Sequence, residues 1–203
     1  LEKEEEMELE KELTEFLKKY SVPGITDLKD LSWPREVEAM NGLITINEKP
    51  KRILTISTGH DEMIFGFANL NNIVGVTSFS QSPGGNIYEL TKDMPTITSE
   101  IETIVAQNPD IVFADPYANV NLMKSLEDLG ITVVQTQLNN TAEGRINDIL
   151  FAAYVLDELE SSKMLINAIN DQINYIELIK NAIGDTINTN ILSVTYYDAY
   201  WAA

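Results

Sequence analysis

The chain opens on an amphipathic pattern. Within residues 1–20, Leu9, Leu13, Phe16, Leu17 and Tyr20 recur at three- and four-residue spacings while glutamates and lysines fill most positions between them. This predicts a helix with one apolar stripe, ended by Pro23-Gly24. Val37 to Met40 and Leu43 to Ile46 then flank Asn41-Gly42, the strongest short signal for a two-residue hairpin turn. From Pro50 onward, short apolar runs alternate with helical periodicity. Strands are expected at 53–57, 73–77, 111–114 and 132–136, and helices at 61–70, 100–107 and 120–129, with Gly130 capping the last. A long Ser/Gly/Pro loop fills 78–86. Brief apolar strands separated by helices predict an α/β fold, a parallel sheet covered on both faces with right-handed crossovers.

After Asn139-Asn140 the rhythm changes. Residues 142–157 and 159–183 read as helices almost free of breakers, the second with apolar positions at Leu159, Leu165, Ile169, Ile173, Ile176 and Ile183. At about 1.5 Å per residue that helix runs on the order of 35 Å. It is long for a crossover within one small lobe and suits a strut between two. Gly184 ends it, and residues 191–197 begin a new strand. One strand cannot make a domain, so a second lobe is expected to follow. The expected organisation is an N-terminal extension (1–30), a Rossmann-like α/β lobe with its hairpin (31–158), an interlobe helix (159–183) and the first strand of the second lobe (184–203).

Composition narrows the function. With 203 residues, 44% of them apolar, the chain can bury one sizeable core. A formal net charge of -18, with Arg35, Arg52 and Arg145 as the arginines, argues against a nucleic-acid partner. The absence of cysteine excludes disulfides, thiolate zinc sites and thiol catalysis. No run of about 18 apolar residues is present, so no membrane span is expected in this chain. The loop carrying Gly84-Gly85 lacks both glycine-rich phosphate-binding patterns.

Several stretches resemble a known family. Pro50-Lys51-Arg52-Ile53-Leu54-Thr55-Ile56-Ser57, followed by Glu62-Met63-Ile64-Phe65-Gly66, is similar to the opening of the helical-backbone periplasmic binding proteins. Ile73-Val74-Gly75-Val76-Thr77 resembles that family's second strand. Ile101-Glu102-Thr103-Ile104-Val105-Ala106 with Asn108-Pro109-Asp110-Ile111-Val112 resembles its most recognisable stretch. Leu126 through Val134 is similar to a further segment, with Thr132 where proline is usual. These are the capture proteins of ABC importers for iron-siderophores, haem and cobalamin. The resemblance covers roughly residues 36–197. It implies a non-enzymatic, extracytoplasmic protein, periplasmic or anchored at the cell surface. Such a protein binds an iron chelate or a corrinoid as cargo, needs no cofactor of its own, and delivers the cargo to a permease and its ATPase subunits. A sensor or scaffold module of the same fold is the reading from another class.

The resemblance also places candidate residues where strands end, at the mouth of a cleft between lobes. Thr58, Gly59 and His60 follow the first strand, where Thr58-x-x-Asp61 also fits a helix capping box. Ser57, His60 and Asp61 invite a hydrolase reading, but no G-x-S-x-G elbow is present. A single histidine cannot build an N-rich zinc site. Ser80 and Gln81 are the candidates in the loop after the second strand. Tyr117, in Asp115-Pro116-Tyr117, offers a ring with a hydroxyl, and Gln135, Gln137 and Asn139 are lesser polar candidates. Arg145 suits an anionic chelate or a surface ion pair. Tyr196, Tyr197, Tyr200 and Trp201 crowd the last strand, and Tyr197 and Trp201 are the expected cargo contacts there. By resemblance, Glu102 docks on arginines of the permease; Ser99-x-x-Glu102 also fits a capping box.

Overall fold

The computed structural model describes residues 2–184, 195–197 and 200–202. It falls into two units, Leu1–Ala168 and Ile169–Ala203. The first holds helix α1 (Glu2–Leu17), the hairpin β1 (Arg35–Ala39) and β2 (Gly42–Ile46), and a sheet built from β3 (Ile53–Thr55), β4 (Ile73–Thr77), β5 (Thr96–Ile97), β6 (Ile111–Ala114) and β7 (Thr132–Gln135). Helices α2 (Thr58–Phe65), α3 (Tyr88–Thr91), α4 (Ile101–Val105), α5 (Val120–Asp128) and α6 (Ala142–Leu156) connect and cover these strands. The sheet order is β5-β4-β3-β6-β7, parallel throughout.

Strand periodicity explains the two layers. Leu54, Val112, Ala114 and Val133 lie in one cluster with Ile104 of α4 and with Met123 and Leu126 of α5. Ile53, Ile111, Phe113 and Val134 alternate with them and are equally buried, as both faces of a covered parallel sheet require. Each of these side chains larger than Ala114 contributes about 1.5–3 kcal/mol by leaving water. Helix α6 is buried continuously from Asp148 to Leu156. Such a helix must be covered all round, and the N-terminal segment supplies part of the cover: Tyr154 Oη donates to the Asp30 carbonyl at 2.9 Å, and Gly24 lies against the Phe151 ring. Of the α1 stripe, Phe16 and Leu17 are buried while Leu9 stays exposed, and Glu12 pairs with Lys163 at 3.2 Å.

Arg35 pins this cover. It is 2% exposed, its guanidinium lies 4.0 Å from the centre of the Trp33 ring and 4.9 Å from that of Tyr154, and it donates to the carbonyls of Tyr154 (2.5 Å) and Leu31 (2.8 Å) and to Asp157 Oδ1 (2.6 Å). Gly24 must be glycine: its φ is +86° and a Cβ would lie 2.3 Å from the Glu38 carbonyl oxygen. The hairpin turn docks on the sheet edge, where Met40 N donates to the Gln135 carbonyl and Asn41 bonds Val133 and Gln135.

Helix α7 (Leu159–Ile183) is one continuous helix of 25 residues. Leu159, Ser162 and Ile166 are buried in the first unit. In the second unit, Tyr175, Ile176, Leu178 and Ile179 are exposed. That unit also contains a two-stranded antiparallel ribbon, β8 (Thr195–Tyr197) with β9 (Tyr200–Ala202). The expected strand at 191–197 is thus seen from Thr195, and its earlier part lies outside the described residues.

Candidate functional site

Parallel strands bring all their carboxyl ends to one edge, and open α/β sheets bind ligands there. Five loops lie at this edge, 56–57 after β3, 78–87 after β4, 98–100 after β5, 115–119 after β6 and 136–141 after β7; the four other than 98–100, which follows the marginal strand, form the rim. At its centre α2 begins on Ser57, whose Oγ accepts from His60 N at 3.3 Å. The capping box expected from Thr58 and Asp61 is not formed. Thr58 is the first helical residue, and its hydroxyl lies 3.1 Å from that of Thr77.

Asp61 turns inward instead, because stronger donors wait there. Its fully buried carboxylate accepts from the Thr55 hydroxyl, from Thr77 N (2.9 Å) and Oγ1 (2.7 Å), and from Ser80 Oγ (2.7 Å). One side chain thus ties the ends of β3 and β4 to the 3-10 turn Ser78–Gln81. Burial pushes the Asp61 carboxyl up from its ordinary range, against the pull of these hydrogen bonds.

His60 is likewise interior. It is fully buried, with Nδ1 2.7 Å from Ser57 Oγ and Nε2 2.6 Å from Thr136 Oγ1. The placement of His60 and Ser80 among the cargo contacts is therefore corrected: both are 2% exposed or less, and their polar atoms join the loops to one another. Ser57, His60 and Asp61 do not form a relay either, since Asp61 bonds hydroxyls and a backbone amide and the second imidazole nitrogen faces Thr136.

Burial, with a smaller push from the Arg145 charge, lowers the His60 pKa from 6.5 to about 4. The folded state therefore resists a proton that the unfolded chain accepts. The stability from this depression is complete above pH 6.5 and is lost as pH falls towards 4. At about 1.4 kcal/mol per unit, the loss approaches 3 kcal/mol. Urea melts at pH 7 and 4.5 should show this drop, and His60→Gln should flatten it.

Of the remaining candidates, Gln81 is half-buried and structural: its Nε2 donates to the carbonyls of Thr91 and Met94 (2.8 Å each), and its Oε1 accepts from Thr96 Oγ1 (2.6 Å). Gly59 lets Leu138 close over it, since a Cβ there would lie 2.6 Å from Leu138 Cδ1. Thr58 is half-buried. Tyr117 is 93% exposed, held by an Asx turn in which its amide donates to Asp115 Oδ1 (2.9 Å). Sequence reading missed Phe79, 76% exposed beside the buried Ser80; with Ser80 drawn in to Asp61, its neighbour turns out. Gln135 donates to the Asp115 carbonyl, and Asn139 N and Nδ2 donate to Asp148 at 2.6 Å each, whereas Gln137 is exposed. Beside β7 a pocket of about 450 Å³ opens between Val22–Gly24, Glu38–Met40, Gln135–Gln137 and the first turns of α6. The side chains of Tyr197 and Trp201, in β8 and β9, lie outside the described residues.

At the margin of this edge, in the first turn of α4 after β5, Glu102 is exposed. Its expected capping role is corrected: Glu100 is the N-cap and makes no side-chain cap bond, while the turn is closed by Thr103 Oγ1, which donates to the Glu100 carbonyl and accepts from Thr98 N. Among the described residues the Glu102 carboxylate makes no hydrogen bond or ion pair, and only its backbone carbonyl is engaged, by Ala106 N.

No family model matches the chain. Among curated proteins, a "Cobalamin-binding protein" of Halobacterium salinarum is 25% identical over 116 residues, 54% of this chain and 30% of its own length. The "Uncharacterized ABC transporter substrate-binding lipoprotein YvrC" of Bacillus subtilis is 26% identical over 100 residues, 48% of this chain and 31% of its own. Among solved structures, a variant of the heme binding protein HmuT matches with a TM-score of 0.60 at 18% identity, over 81% of this chain and 55% of HmuT. The siderophore binding protein BauB, bound to a complex of two acinetobactin molecules and ferric iron, matches at 0.56 and 16% identity, over 72% and 54%. The matches thus span about half of those two structures and under a third of the curated relatives. At these identities the likeness to the solved structures is one of fold.

Proposed function

We propose that this chain, which has the α/β fold of substrate-binding proteins, is the cargo-capturing part of an ABC importer. It takes up a metal chelate of the iron-siderophore type and presents it to a permease outside the cytoplasm. The observation that carries the reading is the join of two features: a five-stranded parallel sheet with an open carboxyl edge, and the unbroken α7. A stiff helix linking two lobes permits only small closure, which suits a bulky, rigid cargo. Haem and corrinoids compete as cargo, because relatives carry those names. The relatives are named as binding proteins, and both ring nitrogens of the buried His60 meet hydroxyls, of Ser57 and Thr136, which supports capture without catalysis. Titrating the natural full-length protein with ferric chelates, haem and cobalamin while following tryptophan fluorescence tests this directly. If none binds, the proposal fails.

Glu102 is the residue proposed to dock on the permease. A carboxylate free of local bonds keeps its lone pairs for a guanidinium. Glu102→Arg should weaken permease association at least about tenfold and leave chelate affinity unchanged. Normal association would remove Glu102 from the interface.

A further inference from the structure

We infer that the rim selects an uncharged or cationic chelate and holds it against the rings of Phe79 and Tyr117. The inference rests on the capture reading above and narrows it to a charge class. The four rim loops contain no lysine and no arginine, and Asp115 is their one carboxylate. Arg145, in the first turns of α6, is paired with Asp148 Oδ2 at 3.8 Å.

Helix N-termini are the other source of positive potential at a carboxyl edge. Each long one here is answered by its own side chains. Helix α2 has Ser57 at its cap and Asp61 in its first turn. In α5, Asn119 Oδ1 accepts from Asn121 N (2.9 Å) and Leu122 N (3.2 Å). In α6, Thr141 Oγ1 accepts from Gly144 N (3.1 Å), and Glu143 sits in the first turn. With a net charge of -18, the long-range field also repels anions and draws cations.

What the rim displays is apolar ring. Phe79 and Tyr117 follow β4 and β6, the two strands that flank β3, so the strand ends that carry them lie roughly 10 Å apart. That spacing matches a macrocycle or a wrapped chelate better than a bare ion. Rings of this kind add large contact area with little entropy to lose.

The test is calorimetric titration of the natural full-length protein with cyanocobalamin, a cationic ferric tris-hydroxamate and a trianionic ferric tris-catecholate. The expected result is saturable binding of one of the first two, with the tris-catecholate at least about a hundredfold weaker. Phe79→Ala and Tyr117→Ala should each weaken the preferred chelate about tenfold. Phe79→Lys, at an exposed position, should raise affinity for the tris-catecholate. Tighter binding of the tris-catecholate by the natural protein, or unchanged affinity in both alanine variants, overturns the inference and leaves the capture reading standing. Binding of none of the three overturns the capture reading as well.

Discussion

Arg35→Ala is expected to destabilise the first unit by about 3–5 kcal/mol. The guanidinium is buried between the Trp33 and Tyr154 rings and serves three acceptors at once, the Tyr154 and Leu31 carbonyls and the Asp157 carboxylate. Truncation leaves those acceptors without a donor, removes two ring contacts and opens a cavity under the segment that covers α6. Asp157 is the αL cap of α6, with φ at 58°, so the loss also reaches the end of that helix. Arg35→Lys should recover less than half, because an ammonium neither forks to three acceptors nor stacks flat between rings. Urea denaturation of the three proteins is the measurement. A loss under about 1 kcal/mol for the alanine variant would show that the cover holds without its pin.

Asp61 yields the second large effect and separates charge from geometry. Asp61→Ala removes the acceptor of Thr77 N and of the Thr55, Thr77 and Ser80 hydroxyls, and should cost about 2–4 kcal/mol. Asp61→Asn should cost within about 1 kcal/mol. Its amide oxygen can replace Oδ2, and its NH2 can donate to Thr55, whose own hydroxyl then turns to the Ser57 carbonyl 3.1 Å away. The pH dependence supplies an independent check. The Asp61 pKa is raised in the fold, so its contribution is fully present below the unfolded carboxylate pKa and is lost as pH rises through the raised value. It therefore opposes the His60 contribution, which is lost as pH falls. Asp61→Asn deletes the opposing part, and acid lability below pH 6.5 should steepen. A shallower acid profile would refute this assignment.

The backbone was far more legible than the rim. Alternation of short apolar runs with helical periods marks β3, β4, β6 and β7 to within two residues, and α7 occupies the expected span. β5, with two residues, and α3, with four, are too short to carry any period. The stretches that carry the family resemblance prove partly architectural. Asp110 accepts from the amides of Lys51 and Arg52, and the Arg52 guanidinium donates to the carbonyls of Gln107 and Asn108, locking β3 to β6 at their amino ends. The rim misled because position after a strand says where a residue sits but not which way it points. His60 was drawn inward by the hydroxyls of Ser57 and Thr136, and Ser80 by the Asp61 carboxylate. The available clue was three hydroxyl residues, Thr55, Thr77 and Ser80, placed at strand ends around one acid in an early helical turn. Arg35 gave no clue in sequence, because the Tyr154 carbonyl and the Asp157 carboxylate that it bonds are 119 and 122 residues away.

The division of labour at the rim has an evolutionary consequence. The side chains that fasten the loops, Asp61, His60, Ser80 and Gln81, are turned into the protein, while the rings on display, Phe79 and Tyr117, bear almost none of the fastening. If the rim takes cargo as proposed, selectivity can drift by substitution at the displayed positions with little penalty in folding. On that reading, one scaffold can change its guest repeatedly without first having to be rescued by compensating mutations.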